Sequence, residues 1–140
     1  MIGLIVTGHG NFGTGLTTSL KLIAGDLENY IPVDFTQEVD QLAADLAKAM
    51  DDLKDCESIL VLSDLPGGSP FKTAVEVGFP RGNVDVVSGT NLPMLITANM
   101  MRKFMDDRDA FVNMVLSEAA AGIKKFEFEP VVQVESEDGI

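Results

Sequence analysis

Four short apolar runs alternate with longer amphipathic stretches, and this alternation constrains the fold more than any other feature. The runs cover residues 2–6, 30–33, 58–62 and 84–87, each rich in β-branched residues and bounded by Gly, Asp or Ser. Runs of four or five apolar residues without a polar alternate suit strands buried on both faces. The second run contains Pro32, which cannot donate to a ladder and places that strand toward an edge. Between the runs lie helical patterns. Leu16, Leu20 and Ile23 share one face of a helix over about 12–24 that Gly25 closes. Thr36 is positioned to cap a second helix with Val39, Leu42, Leu46 and Met50 inward. Ser69 and Pro70 read as an N-cap followed by the first helical position of a third. Pro93 opens a fourth that runs to Phe104, and Asp109 would cap a fifth through Phe111, Val115 and Ala119.

Strand and helix in alternation predict an α/β fold, an open and mainly parallel sheet of about four strands with helices on both faces. Residues 126–129 alternate apolar with charged side chains, as an extra antiparallel edge strand would. The 140 residues suit one domain, expected over 1–129, followed by an acidic tail over 130–140. Cys56 is the single cysteine, so no internal disulfide can form and a reducing cytoplasm is the expected location. The first residues lack the basic region of a signal peptide, and no run approaches the length of a membrane span. The formal net charge of −12 repels phosphate backbones, which excludes nucleic acid as a partner and favours basic protein faces. No metal site or cofactor is expected from the motifs.

Ligands of open α/β sheets gather at the carboxyl ends of the strands. His9, the only histidine, stands there between Gly8 and Gly10. Asp64 ends the third strand, which in such sheets commonly neighbours the first, and adjacent parallel strand tips lie about 5 Å apart. A carboxylate accepting a hydrogen bond from imidazole Nδ1–H would hold the ring and leave the Nε2 lone pair free as a nucleophile. Gly67, Gly68 and Ser69, just ahead of Pro70, supply exposed amides at a helix start, an anion site that needs no lysine. Together these residues suggest a phosphoryl acceptor whose transferred group is stabilised by preset dipoles. A competing pattern exists. Gly8, Gly10 and Gly13 form a G-x-G-x-x-G with Asp34 following 21 residues later, the dinucleotide fingerprint. It leaves Asp64 and the 67–70 loop unexplained, and a histidine in its first variable position would crowd a pyrophosphate. A response-regulator reading fails because His9 stands where paired acids are required.

Three stretches then carry a family resemblance: Thr7 to Gly10, Asp64 to Phe71, and Gly89 to Leu95. In order and wording they resemble the enzyme IIA domain of the mannose family of the bacterial sugar phosphotransferase system, over about residues 2–125. The resemblance implies that His9 accepts a phosphoryl group on Nε2 from the phosphocarrier protein HPr. The group would pass to a histidine of a cognate enzyme IIB, which serves sugar entry through the membrane components IIC and IID. By position, Asp64 would orient His9, Ser69 would help hold the phosphoryl group, and Asn91 and Pro93 would form the rim. It further implies a homodimer in which a last antiparallel strand, here 126–129 or 131–134, is exchanged between subunits. A phosphotransfer subunit of dihydroxyacetone kinases has a similar fold and stands as an alternative, with a small dinucleotide-binding module behind it. Asp106, Asp107 and Asp109 read first as a solvated loop and second as candidates for an acidic rim that steers basic partners.

Overall fold

The computed structural model describes residues 1–130. Four strands, β1 (Gly3–His9), β2 (Tyr30–Phe35), β3 (Ile59–Ser63) and β4 (Val84–Val87), form one parallel sheet in the order β2-β1-β3-β4. Five helices, α1 (Phe12–Ala24), α2 (Val39–Asp52), α3 (Ser69–Gly78), α4 (Leu92–Met101) and α5 (Arg108–Ala121), connect and cover it. The expected edge position of the Pro32 strand holds, since β2 pairs only with β1.

The period-two geometry of strands divides the apolar side chains between two layers. Leu4, Val6, Leu60 and Leu62 pack with Leu20 of α1, Leu95 of α4 and Phe111 and Val115 of α5. Ile5, Val33, Ile59 and Val61 pack on the opposite face with Leu42 and Leu46 of α2 and Ala74 of α3. Every side chain of β3 is buried, as expected for a run with no polar alternate.

Several local expectations shift by a residue or more. Glu38, not Thr36, precedes the first turn of α2, and no side chain caps it. Asp107, not Asp109, caps α5 by accepting from the Ala110 amide at 3.0 Å. Gly68 is the N-cap of α3, and Ser69 is already helical. Residues 126–129 form no strand within this chain. Phe126 and Phe128 are largely exposed and meet each other edge to face, and among the described residues no strand pairs with that segment. The alternative segment 131–134 and most of the expected acidic tail lie outside the described residues.

Arg102 carries a role that the sequence pattern does not announce. It is buried just past the last turn of α4, and its guanidinium donates to the carbonyls of Ile2, Glu28 and Asn29 and to Asn99 Oδ1. These carbonyls belong to the starts of β1 and β2, so one side chain ties the helical layer to the end of the sheet away from the strand tips. Burial depresses its pKa below the ordinary arginine value.

Candidate functional site

β1 runs through His9 rather than stopping short of it, because Gly8 and His9 pair in parallel with Asp34 and Phe35 of β2, and the Gly10 amide then donates to Phe35 O at 2.8 Å. Thr7 and Ser63 are in register on β1 and β3, so both chains finish side by side and bring His9 and Asp64 together. The Asp64 peptide is itself held from the β4 side, where the Gly89 amide donates to Asp64 O at 2.7 Å and the Thr90 amide to Ser63 O at 3.1 Å. Gly89 does this at φ 73°, a conformation that favours glycine.

The Asp64 carboxylate is fully engaged. Its Oδ2 accepts from the His9 amide at 2.8 Å and from His9 Nδ1 at 2.7 Å, and its Oδ1 accepts from the Leu65 amide at 2.7 Å. Burial pushes the carboxyl up, but the bonds from the His9 amide, the His9 ring and the Leu65 amide outweigh it and hold it below the ordinary 3.8. An ionised carboxylate only accepts, so Nδ1 must carry the proton, and the neutral ring keeps its lone pair on Nε2. Asp64 is 12% exposed and His9 47%, so the orienting group is sheltered while the ring faces solvent. The ring also rests edge-on against Phe35 at 5.8 Å.

The third loop closes on the ring from the other side. A Cβ added to Gly68 would stand 3.0 Å from His9 Cε1, so the loop backbone lies against the imidazole where a side chain would intrude. Gly67 turns the chain there at φ 74°. Among the described residues, α3 has no side-chain cap, and the amides of Gly67, Ser69 and Phe71 bond no protein acceptor. The other helices that begin at this end are already served. Asp34 places both oxygens on Thr14 of α1, at 3.0 Å from its amide and 2.7 Å from its hydroxyl, and Asn91 Oδ1 accepts from the Met94 amide of α4 at 2.9 Å. α2 opens beside Glu38 and Asp40, which repel anions. Positive dipole next to His9 is therefore free only at α3.

This geometry decides several expectations about individual residues. His9, Asp64, Gly67, Gly68 and Ser69 do converge. Ser69 lies in the first turn of α3, and its hydroxyl makes no cap hydrogen bond. Asn91 is used within the helical layer, capping α4 and donating to Ala119 O at 3.0 Å, while Pro93 packs against Gly122 at the end of α5. Of the G-x-G-x-x-G glycines, Gly8 and Gly13 serve packing, and Gly10 turns the chain at φ 59°. A Cβ on Gly8 would meet the Phe12 ring at 2.5 Å, one on Gly13 would meet Val6 O at 2.6 Å, and Asp34 is spent on Thr14. The acidic rim requires correction. Asp106 borders a cavity with Met1, Ile2 and Arg102, and Arg108 donates to Asp85 near the start of β4. Asp106, Asp107 and Asp109 therefore sit where the strands begin, at the pole opposite His9. No group of three or more potential metal ligands occurs among the described residues.

Comparison with known proteins agrees with this architecture. The family model described as PTS system fructose IIA component matches residues 3–116. The fructose-specific EIIA component of Bacillus subtilis is 29% identical over 116 residues, covering 81% of this chain and 80% of that protein. The mannose-specific EIIAB component of Escherichia coli K12 is 27% identical over 136 residues, covering 93% of this chain, which spans 41% of that longer protein. Among solved structures, the phosphotransferase system component EIIA from Streptococcus agalactiae superposes with TM-score 0.81 at 32% identity, over 89% of this chain and 97% of that one. The mannose/sorbose IIA subunit from Enterococcus faecalis, at 22% identity and TM-score 0.80, shares the fold. The chain belongs to the EIIA-man family, and is accordingly a phosphotransferase component of a sugar phosphotransferase system.

Proposed function

We propose that this chain is a phosphocarrier domain over residues 1–129, in which His9 Nε2 takes a phosphoryl group from phospho-HPr and passes it to a histidine of a cognate enzyme IIB. The observation that carries this reading is the 2.7 Å contact between His9 Nδ1 and Asp64 Oδ2, beside a helix N-terminus without a cap. In the transfer, the Nε2 lone pair forms the new nitrogen–phosphorus bond as the donor nitrogen recovers the pair of the bond that breaks. The ring gains positive character at that moment, and the anionic Asp64 stabilises it through the Nδ1–H bond. The amides of Gly67, Ser69 and Phe71, with the Ser69 hydroxyl, receive the phosphoryl oxygens. Such a group on an imidazole keeps a high transfer potential, which suits an intermediate carrier.

Sugar uptake would proceed through separate membrane components IIC and IID, with the carrier in the cytoplasm. Among the described residues no helix is long and apolar enough to cross a membrane. The exposed Phe126 and Phe128, and an outer edge of β4 that pairs with no other strand among the described residues, support a homodimer with an exchanged last strand. The test is labelling with radioactive phosphoenolpyruvate, enzyme I and HPr. Wild type should acquire acid-labile phosphate while His9→Ala stays folded and unlabelled. Labelling of the alanine variant would refute the assignment. Saturable binding of NAD or ATP without labelling would favour a nucleotide module instead.

A further inference from the structure

We infer that Lys72 is the countercharge for a phosphoryl group on His9, an inference that rests on the phosphocarrier reading above. Residues 7–15, 34–40, 63–73 and 87–96 make up the loops and first helical turns around the strand tips, and Lys72 is the only Lys or Arg in them. It is exposed and, among the described residues, has neither an ion pair nor a side-chain hydrogen bond. Lys48, Arg81 and Arg108 by contrast are paired with Asp52, Asp51 and Asp85. Lys21, Lys54, Lys103, Lys124 and Lys125 are likewise without an ion pair among the described residues, but all five lie outside these segments. Lys72 also stands near the start of α3, where the helix dipole disfavours a cation and the first turn holds no acidic side chain, the acid on its own face being Glu76 one turn further on. That placement is unfavourable until an anion occupies the helix end.

Its position suits such an anion. The Lys72 amide donates to Gly68 O at 2.9 Å, which sets Lys72 one turn beyond the residue that abuts His9 Cε1. Helix positions four apart share a face with about 5–6 Å between Cβ atoms, and helical side chains lean toward the N-terminus. The flexible Lys72 chain therefore leads back over Gly68 toward Cε1, whose two ring nitrogens are Nδ1, held by Asp64, and the free Nε2. Transfer without moving a proton adds one net negative charge, about two on the phosphoryl oxygens against one positive on a ring that keeps its Nδ1 proton bonded to Asp64. On a protein already at −12, one ammonium beside the phosphoryl oxygens offsets much of the added repulsion.

The test uses full-length protein phosphorylated chemically with phosphoramidate, so that it does not depend on a protein donor. The phosphoryl titration is followed by phosphorus NMR. A nearby cation favours the dianion, so Lys72→Gln should move that titration upward by about half a pH unit, as one contact charge in near-aqueous surroundings predicts. Lys72→Arg should restore it, and neither variant should lower the melting temperature, since the side chain is exposed and its charge is disfavoured at the helix start. A glutamine variant that titrates within about 0.1 unit of wild type would overturn the inference. In that case labelling of wild type through HPr would leave the carrier reading standing. Modification by phosphoramidate without labelling by HPr would fail the carrier reading alone, and a His9 that phosphoramidate leaves unmodified would overturn both.

Discussion

Replacing Asp64 with asparagine separates what its carboxylate does for the fold from what it does for His9. The side chain keeps its shape, and its remaining carbonyl oxygen can still accept from one of the two amides that Asp64 serves, those of His9 and Leu65. The lost amide bond is at a partly solvated site, so folding should weaken by about 1 kcal/mol. The imidazole is affected differently. The 2.7 Å bond to Nδ1 is charge-assisted, and it strengthens when phosphorylation gives the ring positive character. An amide in that place is neutral, and its NH₂ edge favours the ring tautomer with the proton on Nε2, which cannot attack phosphorus. Losing a hydrogen bond to a charged group, worth about 1.5–3 kcal/mol, corresponds to a slowing of roughly 10- to 100-fold. Rapid-quench measurement of phosphoryl transfer from phospho-HPr, beside urea unfolding, reads both quantities on the same preparations. A transfer rate within about threefold of wild type would refute the tautomer argument, whatever the stability change.

Three further outcomes follow from the same geometry. Asp64 titrates below its unfolded value, so its stabilisation is fully present above that value and is lost as pH falls through the lower, folded one. The stability gap between wild type and Asp64→Asn should accordingly shrink from about pH 6 to about pH 3; a constant gap in acid unfolding would show that the ionised carboxylate contributes nothing. At Gly68 the backbone φ of −72° accepts alanine, but the new Cβ would stand 3.0 Å from His9 Cε1, so Gly68→Ala should slow transfer by about tenfold with little change in melting. An unaltered rate would mean that the imidazole has more room than the contact implies. Arg102→Met keeps the apolar stem yet strands the carbonyls of Ile2 and Glu28, while Asn29 O keeps the Leu4 amide, and should cost about 3 kcal/mol in denaturant unfolding while leaving His9 labelling intact. A loss of labelling in folded Arg102→Met would instead couple the two poles of the sheet.

The layered fold is legible in the sequence because the residues that report it are buried on both faces. The run over 84–87 coincides with β4, and the pattern over 12–24 coincides with α1. Helix starts are harder to read, since a capping side chain acts over one or two residues and several polar candidates stand together. Asp107 takes the role expected of Asp109, and the backbone of Gly68 takes the one expected of Ser69. His9, Asp64 and the 67–69 loop could be grouped because the order of strand neighbours follows from fold class. Asp106, Asp107 and Asp109 were misplaced because α4 carries the chain away from the strand tips, a matter of direction that charge alone does not encode. Arg102 escaped notice for a related reason. One arginine after an apolar helix looks like a solvated end, and its carbonyl partners lie 73 or more positions away in the chain.

The most direct measurement is nitrogen-15 NMR of the His9 ring before and after phosphorylation by HPr. Before transfer, Nδ1 should carry the proton and Nε2 should show the shift of a bare lone pair. Afterwards, coupling to phosphorus should appear at Nε2 with the proton still on Nδ1. Phosphorus bound at Nδ1, on the side that Asp64 occupies, would contradict the account at its centre.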